Sequence, residues 1–405
     1  MSLVVASPAS VGVSASRLAR IDTMIQHAIQ DHTIPGAVTI VCRNGKIIYH
    51  KSFGKSNAST NTPFKNNAIF RIASQSKAIT TTAAMMLWEE GKFGLDQPVS
   101  DFIPEFKTPQ ILDTYDESTG MYTTKPAKKE ITIRQLINHT SGIGYGVIDG
   151  DARLKAIYKK AGIVDLFTTE NVRIGDNIKK LAKLPLHHEP GEKYTYSEGL
   201  DVVGYLIELW SGMSFDEYLK KKIFIPLGMN DTYFYLPATH ASRLVDVQTK
   251  DANGKWIPTS QDFYDINYPK TGARTFYSGG AGLSSTAQDY ATFLQMYLNG
   301  GELNGVRLLS RTTVRFMMQN QVGDLRGKDA PEDFGLGFGL VNASGERSGG
   351  IGSVGTFIWG GYFNTQYFAD PKEKIIGLIM KQTLNIGNDN TNALFKRLVF
   401  QSIDD

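Results

Sequence analysis

At 405 residues, 41% hydrophobic and 11% aromatic, the chain is long enough to bury a substantial core and to form two lobes, and nothing in its composition marks disorder. A net charge of +3, from 43 basic and 40 acidic residues, is too mild for a nucleic-acid binder, and the basic clusters 125–129 and 220–222 read as solvated faces. A single cysteine, Cys42, excludes an intramolecular disulfide and a Cys-based zinc site, and no stretch approaches the roughly 20 apolar residues that span a bilayer.

Met1-Ser2-Leu3 reads as an expression leader in place of a native N-terminus, which leaves the compartment undetermined: periplasmic or secreted if a signal peptide was removed, otherwise cytoplasmic. Leu18, Ile21, Ile25 and Ile29 mark one face of an amphipathic helix that Pro35-Gly36 closes. Residues 37–42 and 46–51 follow as strands, and Asn44-Gly45 between them signals a tight hairpin with Cys42 as core filler. Residues 100–275 read as mostly helix and loop, with helices at 133–137, 202–210 and 215–223. Strands return at 335–341, 355–359, 365–369 and 374–380, before a helix over 390–400. The expected fold is α/β: an antiparallel sheet flanked by helices, built from 1–99 and 276–405, with a mainly helical lobe of 100–275 inserted and a site in the cleft between them.

Ser74-Gln75-Ser76-Lys77 stands at the head of an expected helix in which Ile79, Ala83, Met86 and Leu87 recur and Gly91 caps the end. Residues three apart share a helix face, so the Lys77 amine can reach the Ser74 hydroxyl and activate it without histidine. By itself the motif fits equally a serine N-cap followed by a solvated lysine. A second S-x-x-K, Ser52 to Lys55, follows a strand and contains Gly54, so its serine and lysine need not share a face.

Four further segments accompany the first: 136–142 (Leu-Ile-Asn-His-Thr-Ser-Gly), 190–197 (Pro-Gly-Glu-Lys-Tyr-Thr-Tyr-Ser), 278–283 (Ser-Gly-Gly-Ala-Gly-Leu) and 359–361 (Trp-Gly-Gly). In this order they resemble the serine β-lactamase and penicillin-binding-protein superfamily over nearly the whole chain, and within it most of all the class C β-lactamase-related, family VIII, carboxylesterases. The resemblance implies a β-lactamase-like fold and an acyl-enzyme formed on Ser74 without metal or organic cofactor. It further implies Lys77 as activating amine, Tyr196 as proton relay, and the backbone N–H groups of Ser74 and Tyr362 as the oxyanion hole. Trp359, Gly360, Gly361 and Glu198 would contact substrate.

Two positions depart from the family pattern. Trp359 stands where β-lactamases carry the lysine of K-T-G, so a neutral ester is expected in place of an anionic β-lactam. Glu198 stands where Y-x-N has asparagine; it either contacts Lys77, favouring the ammonium, or points to solvent. His139 reads as a satisfied buried histidine, and His187-His188 lacks the spacing of a helical zinc site. The expected partner is a small ester, with a cell-wall-like amide as the alternative substrate and a non-catalytic sensor as the alternative class. The oligomeric state is not encoded legibly.

Overall fold

The computed structural model describes residues 3–259, 265–349, 352–384 and 387–405; Met1 and Ser2, part of the expected leader, lie outside them. Nine strands form one sheet: Val4–Val5 (β1), Gly36–Arg43 (β2), Lys46–Asn57 (β3), Thr62–Pro63 (β4), Glu332–Phe334 (β5), Gly339–Val341 (β6), Phe357–Gly361 (β7), Thr365–Asp370 (β8) and Ile375–Met380 (β9). Their order is β1-β3-β2-β9-β8-β7-β6-β5, with β4 on β3. Every pairing is antiparallel except β1 with β3. The β2–β3 hairpin turns at Asn44 and Gly45, with φ of 52° and 75°, the left-handed pair a type I′ turn requires. Pairing of β2 with β9 joins the two ends of the chain in one sheet, so both faces need cover.

That cover comes from Arg20–Gln30 (α1), Ser76–Glu89 (α2), Gly199–Ser211 (α3), Ala287–Leu298 (α4) and Thr391–Gln401 (α5). On one face Ile21 and Ile25 of α1 and Phe395 and Val399 of α5 pack on Ala37, Val41 and Ile379. On the other, Val38, Ile40 and Leu378 meet Ile79 and Ala83 of α2 and Leu294 of α4, and the same apolar cluster runs on to Val203 and Leu206 of α3. Eleven of the 14 residues of α2 are buried, Lys77 among them, because this helix is sandwiched between sheet and α3. A helix enclosed on all sides is rigid support for whatever stands at its first turn.

Four expected elements differ. The strand expected over 46–51 runs on to Asn57. Of the strand expected over 335–341 only Gly339–Val341 (β6) is strand, because Gly337 at φ 83° makes a turn, in which Gly335 N–H bonds the Phe338 carbonyl, that joins it to β5 before it. The strand expected at 355–359 runs instead over 357–361, since pairing with β8 carries it through Gly360 and Gly361. The helix expected over 215–223 is α-helical only at Phe215–Leu219 and then π-helical at Lys220–Phe224. The middle segment also holds two ribbons, Gln110–Tyr115 with Tyr122–Pro126 and Gln248–Lys250 with Trp256–Pro258. No helix among the described residues is long and apolar enough to cross a membrane.

Candidate active site

Ser74 is not the first residue of α2 but lies in the 3₁₀ turn Ala73–Gln75 that leads into it. Ala73, buried and at φ 43°, turns the chain sharply from Phe70–Arg71 into that element. A non-glycine residue in the left-handed region costs roughly 1–2 kcal/mol, a strain tolerated where the surrounding structure fixes it. Arg71 supplies part of that fixation: its guanidinium donates to the carbonyls of Ile266 (2.7 Å) and Val245 (2.8 Å).

Lys77 Nζ donates to Ser74 Oγ at 3.3 Å and to the Gly280 carbonyl at 2.7 Å. Taking an ammonium out of water is costly, and here the Gly280 oxygen and two aromatic rings offset the cost. Nζ stands 4.5 Å from the Tyr196 ring centroid and 5.5 Å from that of Tyr145. Gly280 is itself gripped from the other side, because its N–H donates to Asp201 at 2.7 Å, and Ser278 Oγ donates to the same carboxylate at 2.7 Å. Burial raises the Asp201 carboxyl above its ordinary range, against the pull of these donors and of Lys77. The glycines of 278–283 have a steric reason, since a Cβ on Gly279 would lie 2.2 Å from the Leu200 carbonyl of α3.

The Tyr196 hydroxyl is buried and bonds no described residue, and its ring packs on His139 (4.6 Å) and Trp359 (5.8 Å). His139 is fully enclosed; burial holds its imidazole well below its ordinary pKa, with Lys77 and Arg326 adding to this. Its Nδ1 accepts from Ser197 N–H and its carbonyl from Thr195 N–H, so it braces the segment carrying Tyr196 from both sides.

The edge of β7 forms the opposite wall. Gly361 runs so close to the nucleophile's turn that a Cβ there would lie 2.4 Å from the Ile72 carbonyl, so the end of β7 abuts the segment that leads into Ser74. Trp359 presents its indole between Tyr196 and Phe334 (5.3 Å). Ser74, Tyr196, Trp359 and Gly360 share one cleft of about 660 Å³.

Glu198 neither contacts Lys77 nor reaches solvent. Its carboxyl is fully buried, accepts from Gly146 N–H at 3.3 Å and faces Asp165. Burial, then the Asp165 and Asp201 charges, push Glu198 well above the carboxylate range, which favours its neutral form. Burial likewise raises Asp165 to about 7 although it accepts from Val147 N–H at 2.6 Å. The pair therefore ties residues 146–147 to α3 beneath the site. Sequence reasoning missed Tyr145, Asp165 and Asp201; none lies at a helical or strand offset from Ser74, and only folding brings them there. Ser52 lies on β3 beyond this cleft, and among the described residues no cluster of His, Cys, Asp or Glu is arranged to hold a metal.

With this fold, a strained turn presenting serine to a buried lysine, a tyrosine across from them and a sheet edge as the far wall, the chain is of the serine β-lactamase and penicillin-binding-protein superfamily. The profile of the family described as Beta-lactamase matches residues 21–400, and the chain belongs to that family. It is 31% identical over 364 residues to Protein Rv1367c of Mycobacterium tuberculosis, covering 86% of each chain. It is 28% identical over 385 residues to Esterase EstB of Burkholderia gladioli, covering 91% of each. Among solved structures, EstCE1, described as a hydrolase with promiscuous acyltransferase activity, superposes with a TM-score of 0.81 at 26% identity, over 95% of this chain and 99% of that one.

Proposed function

We propose that the protein is a serine carboxylesterase acting on neutral esters of short to medium acyl chains. The observation that carries this reading is the indole of Trp359, 5.8 Å from Tyr196, as the wall of the cleft: at the position where β-lactamases hold the lysine for a β-lactam carboxylate it offers apolar surface and one N–H. Kinship with EstB, an esterase by name, supports it.

In this mechanism Tyr196 enters the cycle as the phenolate, and Ser74 Oγ attacks the ester carbonyl carbon as its proton passes to that phenolate oxygen, while Lys77, 3.3 Å away, stabilises charge on the serine oxygen. The N–H groups of Ser74 and Tyr362 hold the carbonyl oxygen as it becomes anionic. The C–O bond to the alcohol then breaks, and Tyr196 returns the proton to the departing alkoxide. Water entering from the vacated side gives a proton to Tyr196 as it attacks the acyl carbon; the bond from that carbon to Ser74 Oγ then breaks, Tyr196 returns the proton to Oγ, and the acid leaves. An alcohol in place of water would complete an acyl transfer, a second reading favoured by the likeness to EstCE1 with its acyltransferase activity. Mass spectrometry of protein quenched during turnover of p-nitrophenyl butyrate tests the first reading: a butyryl adduct on the Ser74 peptide is expected, and an adduct elsewhere contradicts it.

A further inference from the structure

The cleft that holds Ser74 does not stop at Trp359. Side chains of β7 alternate, so position 360 faces α5, and there a Cβ would press on the Thr365 carbonyl (3.1 Å) and on Cγ of Gln366 (3.2 Å). Beyond Gly360 the cavity continues to Gln366, Asn390, Asn392 and Lys396; the carboxylates of Glu332 and Asp389 line it too, Asp389 being paired with Lys381.

Lys396, half-buried on α5, places its Nζ 5.8 Å from the Phe368 ring and makes no hydrogen bond or ion pair with any described residue. The two carboxylates it feels through space are engaged elsewhere. Asp370 accepts from Ser353 and Lys372 N–H groups and from Thr356 Oγ1, and Glu332 lies 3.7 Å from Arg326. Burial lowers the ammonium to about 8, with Glu332 and Asp370 opposing the fall, so it is mostly charged at neutral pH. A cation held half out of water without a partner inside a cavity is a site for an anion.

The cavity's position relative to the chemistry says which part of the ester reaches it. Tyr196, which protonates the leaving alkoxide, lines the same cavity. Ser74, which would keep the acyl group, lines it as well, and with Tyr196 as proton donor the alcohol portion is the part we assign to the Lys396 end. We infer that Lys396 recognises a carboxylate on the alcohol portion of the substrate, a specificity that rests on the esterase reading.

The test pairs binding with turnover. Calorimetry on the unmodified protein should show 3-hydroxybenzoate binding about fivefold or more tighter than neutral 3-hydroxybenzyl alcohol. Lys396→Met, which keeps the apolar stem, should erase that preference, and Lys396→Arg should retain it, with thermal melting confirming that both fold. The kcat/KM ratio of 3-acetoxybenzoate to its methyl ester should fall in parallel in Lys396→Met. Equal binding of the two alcohols, or a preference that survives Lys396→Met, overturns the proposal. Preference in binding without hydrolysis of either ester would uphold the anion site and count against the esterase reading instead.

Discussion

Lys77 and Asp201 hold the two ends of one glycine: the lysine bonds the carbonyl of Gly280 at 2.7 Å and the aspartate its N–H at the same distance. The amine is thereby fixed in the space beside Ser74 by a neutral acceptor, with the carboxylate one residue's backbone away. Asp201→Asn keeps an acceptor for Gly280 but removes the charge. It should leave KM for p-nitrophenyl butyrate within about twofold while kcat falls by roughly an order of magnitude or more, because the hold on Gly280 loosens. Unchanged kcat would show that the Gly280 grip is dispensable.

Ser74→Ala should lower turnover by at least about three orders of magnitude. The fold should survive, since the loss is one hydroxyl whose described side-chain partner is Lys77. A fluorophosphonate should label Ser74 in the unmodified protein and nothing in the variant. Ser52, in the other S-x-x-K, is the control, and a label there would refute the assignment.

Tyr196→Phe removes only the oxygen, leaving the ring on Lys77, His139 and Trp359. It should lower kcat by about two orders of magnitude with little change in KM. Tyr194→Phe, which alters the neighbouring ring packed on Phe334, should stay near wild type. The reverse pattern would mean that Tyr194 is the relay.

The Asp165–Glu198 pair makes stability depend on pH. Burial raises the Asp165 carboxyl from its ordinary 3.8 to about 7, so the folded state binds a proton that the unfolded chain releases. This contribution is complete below 3.8 and is lost as pH rises to about 7. Between about pH 5 and pH 8, then, Tm should fall, and Asp165→Asn should flatten the fall, stabilising the protein at about pH 8 by on the order of 1–3 kcal/mol. A Tm profile of Asp165→Asn parallel to wild type would place the dependence elsewhere.

Trp359→Lys introduces the cation that β-lactamases have at this place. The ratio of kcat/KM for nitrocefin to that for p-nitrophenyl butyrate should rise by about tenfold or more, equivalent to roughly 1.4 kcal/mol, even as lost packing on Phe334 and Tyr196 lowers Tm. A falling ratio would mean that the indole serves the lactam.

Much of this is legible in the sequence. The Asn44-Gly45 hairpin, Gly91 at the end of α2 and the meeting of Ser74 with Lys77 follow from local chemistry, in which glycine conformations and helical spacing act over a few residues. Gly337 reads as strand because its flanking Leu336 and Phe338 are apolar; they are core residues at a turn. For Glu198 the neighbours in sequence suggest Lys77 or solvent. Its actual partner, Asp165, is 33 positions away and reached only through the fold. Tyr145 and Asp201 escape for the same reason, since nothing in their local sequence marks a residue that will face a buried lysine.

The most direct test of the central claim is a side-by-side measurement of kcat/KM for p-nitrophenyl butyrate and nitrocefin on the unmodified protein. An indole in place of lysine at position 359 predicts efficient cleavage of the ester and at most slow cleavage of the lactam. Nitrocefin turnover well above that of the ester would contradict the account and make the protein a β-lactamase in activity as well as in family, and turnover of neither would leave a fold without the chemistry.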